Sequence, residues 1–386
     1  MAILLYTLDS ILFFIIALSV GYLFVFAFIS LFGGRKKYTY STRENRFVIL
    51  IPAYKEDNVI IDSVRSLLSQ EYPATNMEIV VISDKMKEET NKMLLALPIN
   101  LIQINPENSS KAYALKTAVE HLQGNEYDIA VILDADNVVE SDFLSCVNDA
   151  FNSGIMALQA HRTAKNLNND IAILDAISEE INNSIFRKGH VNIGLSSALI
   201  GSGMAFDFSW FKKSVKELTT AGEDKELELL LFKEKIFVDY LDYLMVYDEK
   251  IQGEKGFYNQ RRRWISAQFG SLFSGLKYLP KAILSFNFGY IERIFVWMLL
   301  PKIILLGITG MFASITLIFD RSISMKWLVL LIIVLLTFAM AVPGFLVTKK
   351  NLKAIKRLPL LFILMVFNLF RIRGANKKFI HTQKGL

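Results

Sequence analysis

The sequence is poor in cysteine and histidine, and its last stretch contains no acid. A single cysteine, Cys146, among 386 residues rules out a disulfide within the chain, which fits folding in a reducing compartment such as the cytosol. Of the four histidines, His121, His161 and His190 show none of the spacing that a zinc site needs. Residues 321–386 carry twelve Lys or Arg and no Asp or Glu, leaving 31 basic against 37 acidic residues in the remainder. The net charge of +6 is therefore an effect of that basic end, and it argues for a membrane-facing tail and against nucleic acid as a partner. There is no internal repeat or low-complexity segment.

Apolar residues are plentiful. At 53% hydrophobic and a mean hydropathy of +0.35, the chain is too apolar for an ordinary soluble protein. At 21% charged it is too polar for a pure membrane bundle, so a mixture of the two is expected. Ile11 to Phe32 is a charge-free run long enough to cross a bilayer, and it is followed by Arg35, Lys36 and Lys37. It lacks the basic leader and cleavage site of a secretory signal, so residues 1–37 are expected to be a transmembrane segment with the N-terminus outside. Two further spans are expected within 286–348: Ile294 to Phe319, interrupted by Pro301 and Lys302, and Trp327 to Val347. Lys302 is almost the only ionisable residue in these spans, which speaks against a transporter. In 349–386, Leu358 to Phe370 is short for a span and reads as re-entrant, interfacial or transmembrane.

Between the spans, residues 38–257 alternate strand and helix patterns. Strands are expected at 47–51, stopped by Pro52, and at 78–82, 99–104, 128–133, 155–159 and 236–246, with a short one entered from Gly201-Ser202-Gly203. Helices are expected at 56–70, 85–95, 112–122, 171–186 and 223–235. This order implies an α/β domain with a mostly parallel sheet and helices on both faces. Residues 258–285 follow as an amphipathic helix, with Arg261, Arg262 and Arg263 before Trp264. It could lie on the membrane surface or pack on a soluble core.

The centre of this pattern is the apolar run Ile129–Leu133, which opens into Asp134-Ala135-Asp136. Two carboxylates two residues apart past a strand end can face one hard divalent ion, Mg²⁺ or Mn²⁺, with a diphosphate in its remaining positions. From spacing alone they can equally be a solvated pair. Pro52, Ala53, Tyr54 and Glu56 follow the first strand and could stack on and hydrogen-bond a nucleoside. Asp84 ends the second strand and could accept from a uracil or ribose, and Lys111 opens a helix whose N-terminus favours phosphate.

Together these segments resemble the family 2 glycosyltransferases, above all their membrane-embedded branch of cellulose, hyaluronan and poly-N-acetylglucosamine synthases. Ile51 to Glu56 is similar to the nucleotide-binding first loop, with Lys55 where Asn is usual. Asp84 resembles the uracil-contacting Asp, and Lys111-Ala112-Tyr113-Ala114-Leu115 the Gly-Lys-x-x-Ala-Leu segment, with Ser110 in place of Gly. Asp134-Ala135-Asp136 is similar to the metal-binding D-x-D, Gly201-Ser202-Gly203 to the acceptor-side loop, and Gly222-Glu223-Asp224 to the segment whose Asp is the general base. Gln260-Arg261-Arg262-Arg263-Trp264 matches Q-x-x-R-W, and Phe379 to Gly385 resembles a gating loop.

The resemblance implies a GT-A-like domain that inverts configuration as it transfers a hexose or N-acetylhexosamine from a UDP-sugar. Asp224 would be the catalytic base. Pro52, Ala53, Tyr54, Glu56, Asp84, Lys111, Asp134 and Arg263 would bind the donor, while Gly203, Glu223, Gln260 and Trp264 would face the acceptor. Asp136 and Asp134 would bind Mg²⁺ or Mn²⁺. The expected product is a growing β-linked polysaccharide; the alternative is a single sugar placed on a lipid or lipid-linked acceptor. The protein is expected in the inner membrane with its catalytic domain cytosolic, and an export subunit or oligomer would help a polymer out.

Overall fold

In a computed structural model, the structure describes residues 2–33, 37–220 and 222–371. Arg35, Lys36 and the gating-loop-like segment 379–385 lie outside these residues.

Eight strands form one sheet: β1 (Phe47–Tyr54), β2 (Met77–Asp84), β3 (Asn100–Ile104), β4 (Ile129–Ile132), β5 (Val138–Val139), β6 (Ala157–Ala164), β7 (Met204–Asp207) and β8 (Val238–Asp248), in the order β3-β2-β1-β4-β7-β6-β8-β5. Alternate residues of the central strands feed two cores. Phe47, Ile49 and Ile51 of β1 pack with Val64 and Leu67 of helix Ile60–Leu68, while Val48 and Leu50 pack with Leu115 and Val119 of helix Lys111–His121. That is why these strands are apolar at every position. Each such side chain contributes about 1.5–3 kcal/mol on burial, so the sheet is the rigid frame of the molecule.

Pairing is parallel for β3-β2, β2-β1, β1-β4 and β6-β8, and antiparallel for β4-β7, β7-β6 and β8-β5. Six strands therefore run the same way, with β7 and β5 reversed. The ends of β1, β2, β4 and β8 and the start of β7 come to one edge, where open α/β sheets bind ligands.

Several elements differ from the sequence expectation. β1 continues through Pro52 to Tyr54, in register with Asp84. Pairing with β4 stops at Leu50, so Pro52 lies where only β2 still neighbours the strand and fewer ladder hydrogen bonds are at stake. The short strand β5 and the helices Phe143–Asn152 and Phe208–Ser214 were not expected.

Among the described residues, three helices are long and apolar enough to cross a membrane: Tyr6–Ser30, within helix Ala2–Ser30, then Lys302–Phe319 and Arg321–Ala341. They share a core that includes Ile16, Val20, Leu305, Trp327 and Val334. The single span expected over Ile294–Phe319 is split, because helix Phe288–Met298 ends before Pro301 and a new helix starts at Lys302. Pro301 cannot continue the first helix and suits the start of the second. Helix Glu254–Leu276 carries the Q-x-x-R-W residues, and Leu358–Phe370 is a separate helix of 13 residues.

Candidate active site

Three carboxylates meet at the strand-end edge. One oxygen each from Asp134, Asp136 and Asp248 lies within 4.8 Å of the others. Asp134 and Asp136 sit in the turn after β4, held by Asn137 Oδ1, which accepts from the Asp134 amide at 3.0 Å, and by the Glu249 amide, which donates to Asp136 Oδ2 at 3.0 Å. An all-oxygen, anionic donor set of this kind fits Mg²⁺ or Mn²⁺. Asp248 was not expected from the sequence, where β8 seemed to end at Val246; it becomes visible only once β8 is followed two residues further, to the edge shared with β4.

Lys111 ties this trio to the next group. Its ammonium donates to Asp134 Oδ1 and to the Gly201 carbonyl, both at 2.5 Å, and lies 3.6 Å from Glu223 Oε1. Burial alone would lower its pKa, but Asp134 and Glu223 outweigh that and raise it, so Lys111 stays charged. Ser110, which stands where the resembled segment has Gly, caps this helix by accepting from the Tyr113 amide.

The Gly201-Ser202-Gly203 loop needs its glycines. Gly201 and Gly203 have φ of +86° and +64°, and a Cβ on Gly203 would meet Val246 at 3.0 Å. Gln159 pins the loop by donating to the Ser202 and Gly203 carbonyls and accepting from the Ile200 amide. A Cβ on Gly201 would lie 3.6 Å from Glu223 Oε1 and 3.9 Å from Asp224 Cβ, so loop and carboxylates are in close contact.

Glu223 and Asp224 begin helix Glu223–Lys233. Burial raises the Glu223 carboxyl to about 7; Lys111 opposes the shift and Asp224 adds to it. Asp224 instead lines a cavity of about 720 Å³ that it shares with Trp264 and with residues of the apolar helices. Gly222 makes this approach possible, since a Cβ there would lie 2.9 Å from Ala267 Cβ on the Q-x-x-R-W helix. Arg261 stacks 4.4 Å above the Trp264 ring and pairs with Asp175. Gln260 lies one turn before Trp264, with its Oε1 buried and without a hydrogen-bond partner among the described residues. Arg263 lies half-buried just before Trp264.

At the other end of the edge, Tyr54 and Asp84 terminate β1 and β2 side by side. Asp84 is buried, which raises its pKa, while the neighbouring Ser109 hydroxyl and the Lys85 and Lys55 ammonium groups oppose the shift. Lys55 has φ +55° and places its ammonium 5.4 Å from the Tyr54 ring centre. Asn tolerates this left-handed region better than Lys, a local reason for Asn being usual there. Pro52 and Ala53 lead into Tyr54, and Glu56 starts the turn that follows.

Of the residues singled out from the sequence, one group runs along the strand ends from Tyr54 and Asp84 through Lys111 to the carboxylates, and Asp224 and Trp264 line the cavity, which Gln260 and Arg263 do not. Glu223 joins the two groups. Asp248→Asn is expected to weaken Mn²⁺ binding by at least the roughly 10–100-fold that loss of an outer-shell partner costs. Titration calorimetry of the full-length protein measures this, and an unchanged affinity removes Asp248 from the trio.

Comparison with known proteins gives the arrangement its context. The beta-monoglucosyldiacylglycerol synthase of Trichormus variabilis is 25% identical over 230 residues, covering 56% of this chain and 47% of that enzyme. The same enzyme of Nostoc sp. is 24% identical over the same length and shares. The chain therefore spans about half the length of the curated relatives it matches. Among solved structures, mannosyltransferase PcManGT from Pyrobaculum calidifontis, in complex with GDP-Man and Mn²⁺, superposes with a TM-score of 0.55 at 15% identity, over 86% of this chain and 99% of that one. At that identity the likeness establishes the shared GT-A-like fold. The model of the glycosyltransferase-like family 2 matches residues 45–267, more than half of the chain and the whole of the sheet. The chain belongs to that family.

Proposed function

We propose that this enzyme moves one sugar from a UDP-sugar to the hydroxyl of a membrane lipid. The observation that carries this reading is the cavity around Asp224 and Trp264: it runs among the apolar helices and is lined largely by Leu, Ile, Val, Phe and Ala. Such walls suit hydrocarbon chains, whereas a polysaccharide needs hydrogen-bonding groups along its path. The curated relatives, named for a glucosyl diacylglycerol product, support the same reading. The Q-x-x-R-W match favours the polymer instead, and an export subunit or oligomer is needed only in that case.

On this reading Asp84, beside Tyr54 at the ends of the paired strands, meets the polar edge of the uracil, and Pro52, Ala53 and Glu56 shape the pocket. Lys111 and Arg263 attract the diphosphate. Asp134, Asp136 and Asp248 would hold a divalent cation, which when bound neutralises charge on the departing phosphate oxygens. Trp264 and Gln260 position the acceptor, while Gly203 and Glu223 shape the passage to it. As the acceptor oxygen bonds to the anomeric carbon, the bond to UDP breaks and the hydroxyl proton passes to Asp224. Attack opposite the leaving group inverts the anomeric centre. The basic residues Lys349, Lys350, Lys353, Lys356 and Arg357 support a reading with the sheet on the cytosolic side of the inner membrane.

Incubation of the purified chain with labelled UDP-sugars, Mn²⁺ and extracted membrane lipid is expected to give one discrete organic-soluble product. A ladder of water-soluble chains defeats the lipid reading.

A further inference from the structure

The cavity carries a charge pattern that a neutral acceptor leaves unused. Five cationic side chains line it, Arg187, Lys225, Arg261, Arg293 and Lys302, against one carboxylate, Asp224. Three of the five have acidic partners: Arg261 pairs with Asp175, Arg293 with Glu228 at 3.3 Å, and Lys225 with Glu228 at 3.2 Å. Arg187 and Lys302 have no carboxylate within ion-pair distance among the described residues. Arg187 donates from Nε to the Ala198 carbonyl and from Nη1 to Asn183 Oδ1, and Nη2 has no protein partner among the described residues. Lys302 donates to the Ser178 carbonyl at 2.7 Å and to Asn182 Oδ1, using two of its three N–H groups on neutral acceptors.

Buried cations are normally paired, and a lysine at the base of an apolar helix is a functional signal by default. The two residues act on one region: both line the cavity, and they bond to adjacent positions of one helix, Arg187 to Asn183 and Lys302 to Asn182. Arg187 also sits in a π-helical turn, Ser184–Lys188, an irregularity that re-aims side chains and recurs at functional sites. The turn is near the chemistry, because Ala198, Leu199 and Ile200 lead from the Arg187 contact to the Gly201 loop beside Asp224.

We propose that Arg187 and Lys302 bind a phosphate ester built into the acceptor lipid, between its hydrocarbon chains and the hydroxyl that receives the sugar. This deepens the proposed function and rests on it. The acceptor is then an anionic phospholipid bearing a free alcohol, with its chains among the apolar helices, its phosphate on the two cations and its alcohol at Asp224.

The test uses the full-length protein in mixed micelles of a polyoxyethylene detergent, which contains no phosphate, with the UDP-sugar chosen as above. Phosphatidylglycerol and diacylglycerol are compared as acceptors. Phosphatidylglycerol is expected to have a KM at least about tenfold lower, the scale of one charged hydrogen bond. Phosphatidic acid, which lacks the alcohol, is expected to inhibit competitively, while inorganic phosphate at equal concentration does not. Arg187→Gln and Lys302→Gln should each raise the KM for phosphatidylglycerol and leave that for diacylglycerol in place. The inhibition is measured on the unaltered protein, so it decides the matter even where a variant fails to fold. Equal use of both lipids without inhibition by phosphatidic acid overturns the phosphate site and leaves the lipid-acceptor reading standing. Elongation of a water-soluble glycan with neither lipid modified overturns both.

Discussion

Asp224→Asn is expected to lower turnover by about 10²–10⁴-fold, the usual contribution of a positioned general base, while donor binding stays as it is. Asp224 occupies the first turn of its helix, beside the Gly201 loop. Its side chain lines the cavity with Trp264, whereas Glu223, one position earlier and about 100° round the helix, lies against Lys111. Asparagine preserves the shape and removes the proton acceptor. Single-turnover transfer measures the loss, and donor affinity is read separately by calorimetry with UDP. The rival base is Glu223, which burial raises to about 7. If Glu223 took the proton, the rate would fall about tenfold per unit below that pH and Asp224→Asn would keep most of its activity. Either result removes Asp224 from its role.

Glu179→Gln is expected to destabilise the folded protein by about 3–5 kcal/mol, the cost of breaking a buried ion pair from one side. Glu179 is buried between two cations: Arg162 donates to its two oxygens at 3.0 and 3.1 Å, and Lys250 donates to Oε2 at 2.5 Å. Removing the charge leaves both cations buried, with Lys250 leaning on Asp248 alone at 2.9 Å. Burial alone would raise the Glu179 carboxyl, but Arg162 and Lys250 prevail and hold it at about 2, against an ordinary 4.5. A folded-state value below the unfolded one means stability that is present above about pH 4.5 and lost as pH falls towards 2. Unfolding midpoints in detergent, taken across that range, should fall in the unaltered protein and change less in Glu179→Gln. A variant as stable as its parent at pH 7 would show that the network carries no net weight.

Much of this architecture was legible in the sequence because local signals agreed. The β1, β2 and β4 runs are apolar over 47–51, 79–82 and 129–132, and Tyr54, Asp84 and Asp134 follow at the edge where such sheets bind ligands. Asp248 is not legible for a physical reason: a buried carboxylate after an apolar run reads as the residue past the strand, and it joins the trio through strand order, which pattern alone does not fix. Pro52 was taken as a strand stop because proline breaks ladders, and only the early end of β4 explains its tolerance. The cavity was invisible because its walls come from segments far apart in the chain, Leu23 to Met365.

That chamber also bears on how the enzyme would count its acceptor. On the proposed reading, Asp224 facing an oily space would meet lipid as a solute of a two-dimensional fluid, so the relevant concentration would be a mole fraction in the membrane. Diluting the acceptor with inert lipid at constant bulk amount would then slow the reaction, and the donor, arriving from water at the strand-end edge, would follow ordinary three-dimensional kinetics. The rate would answer to the composition of the membrane as directly as to the supply of nucleotide sugar.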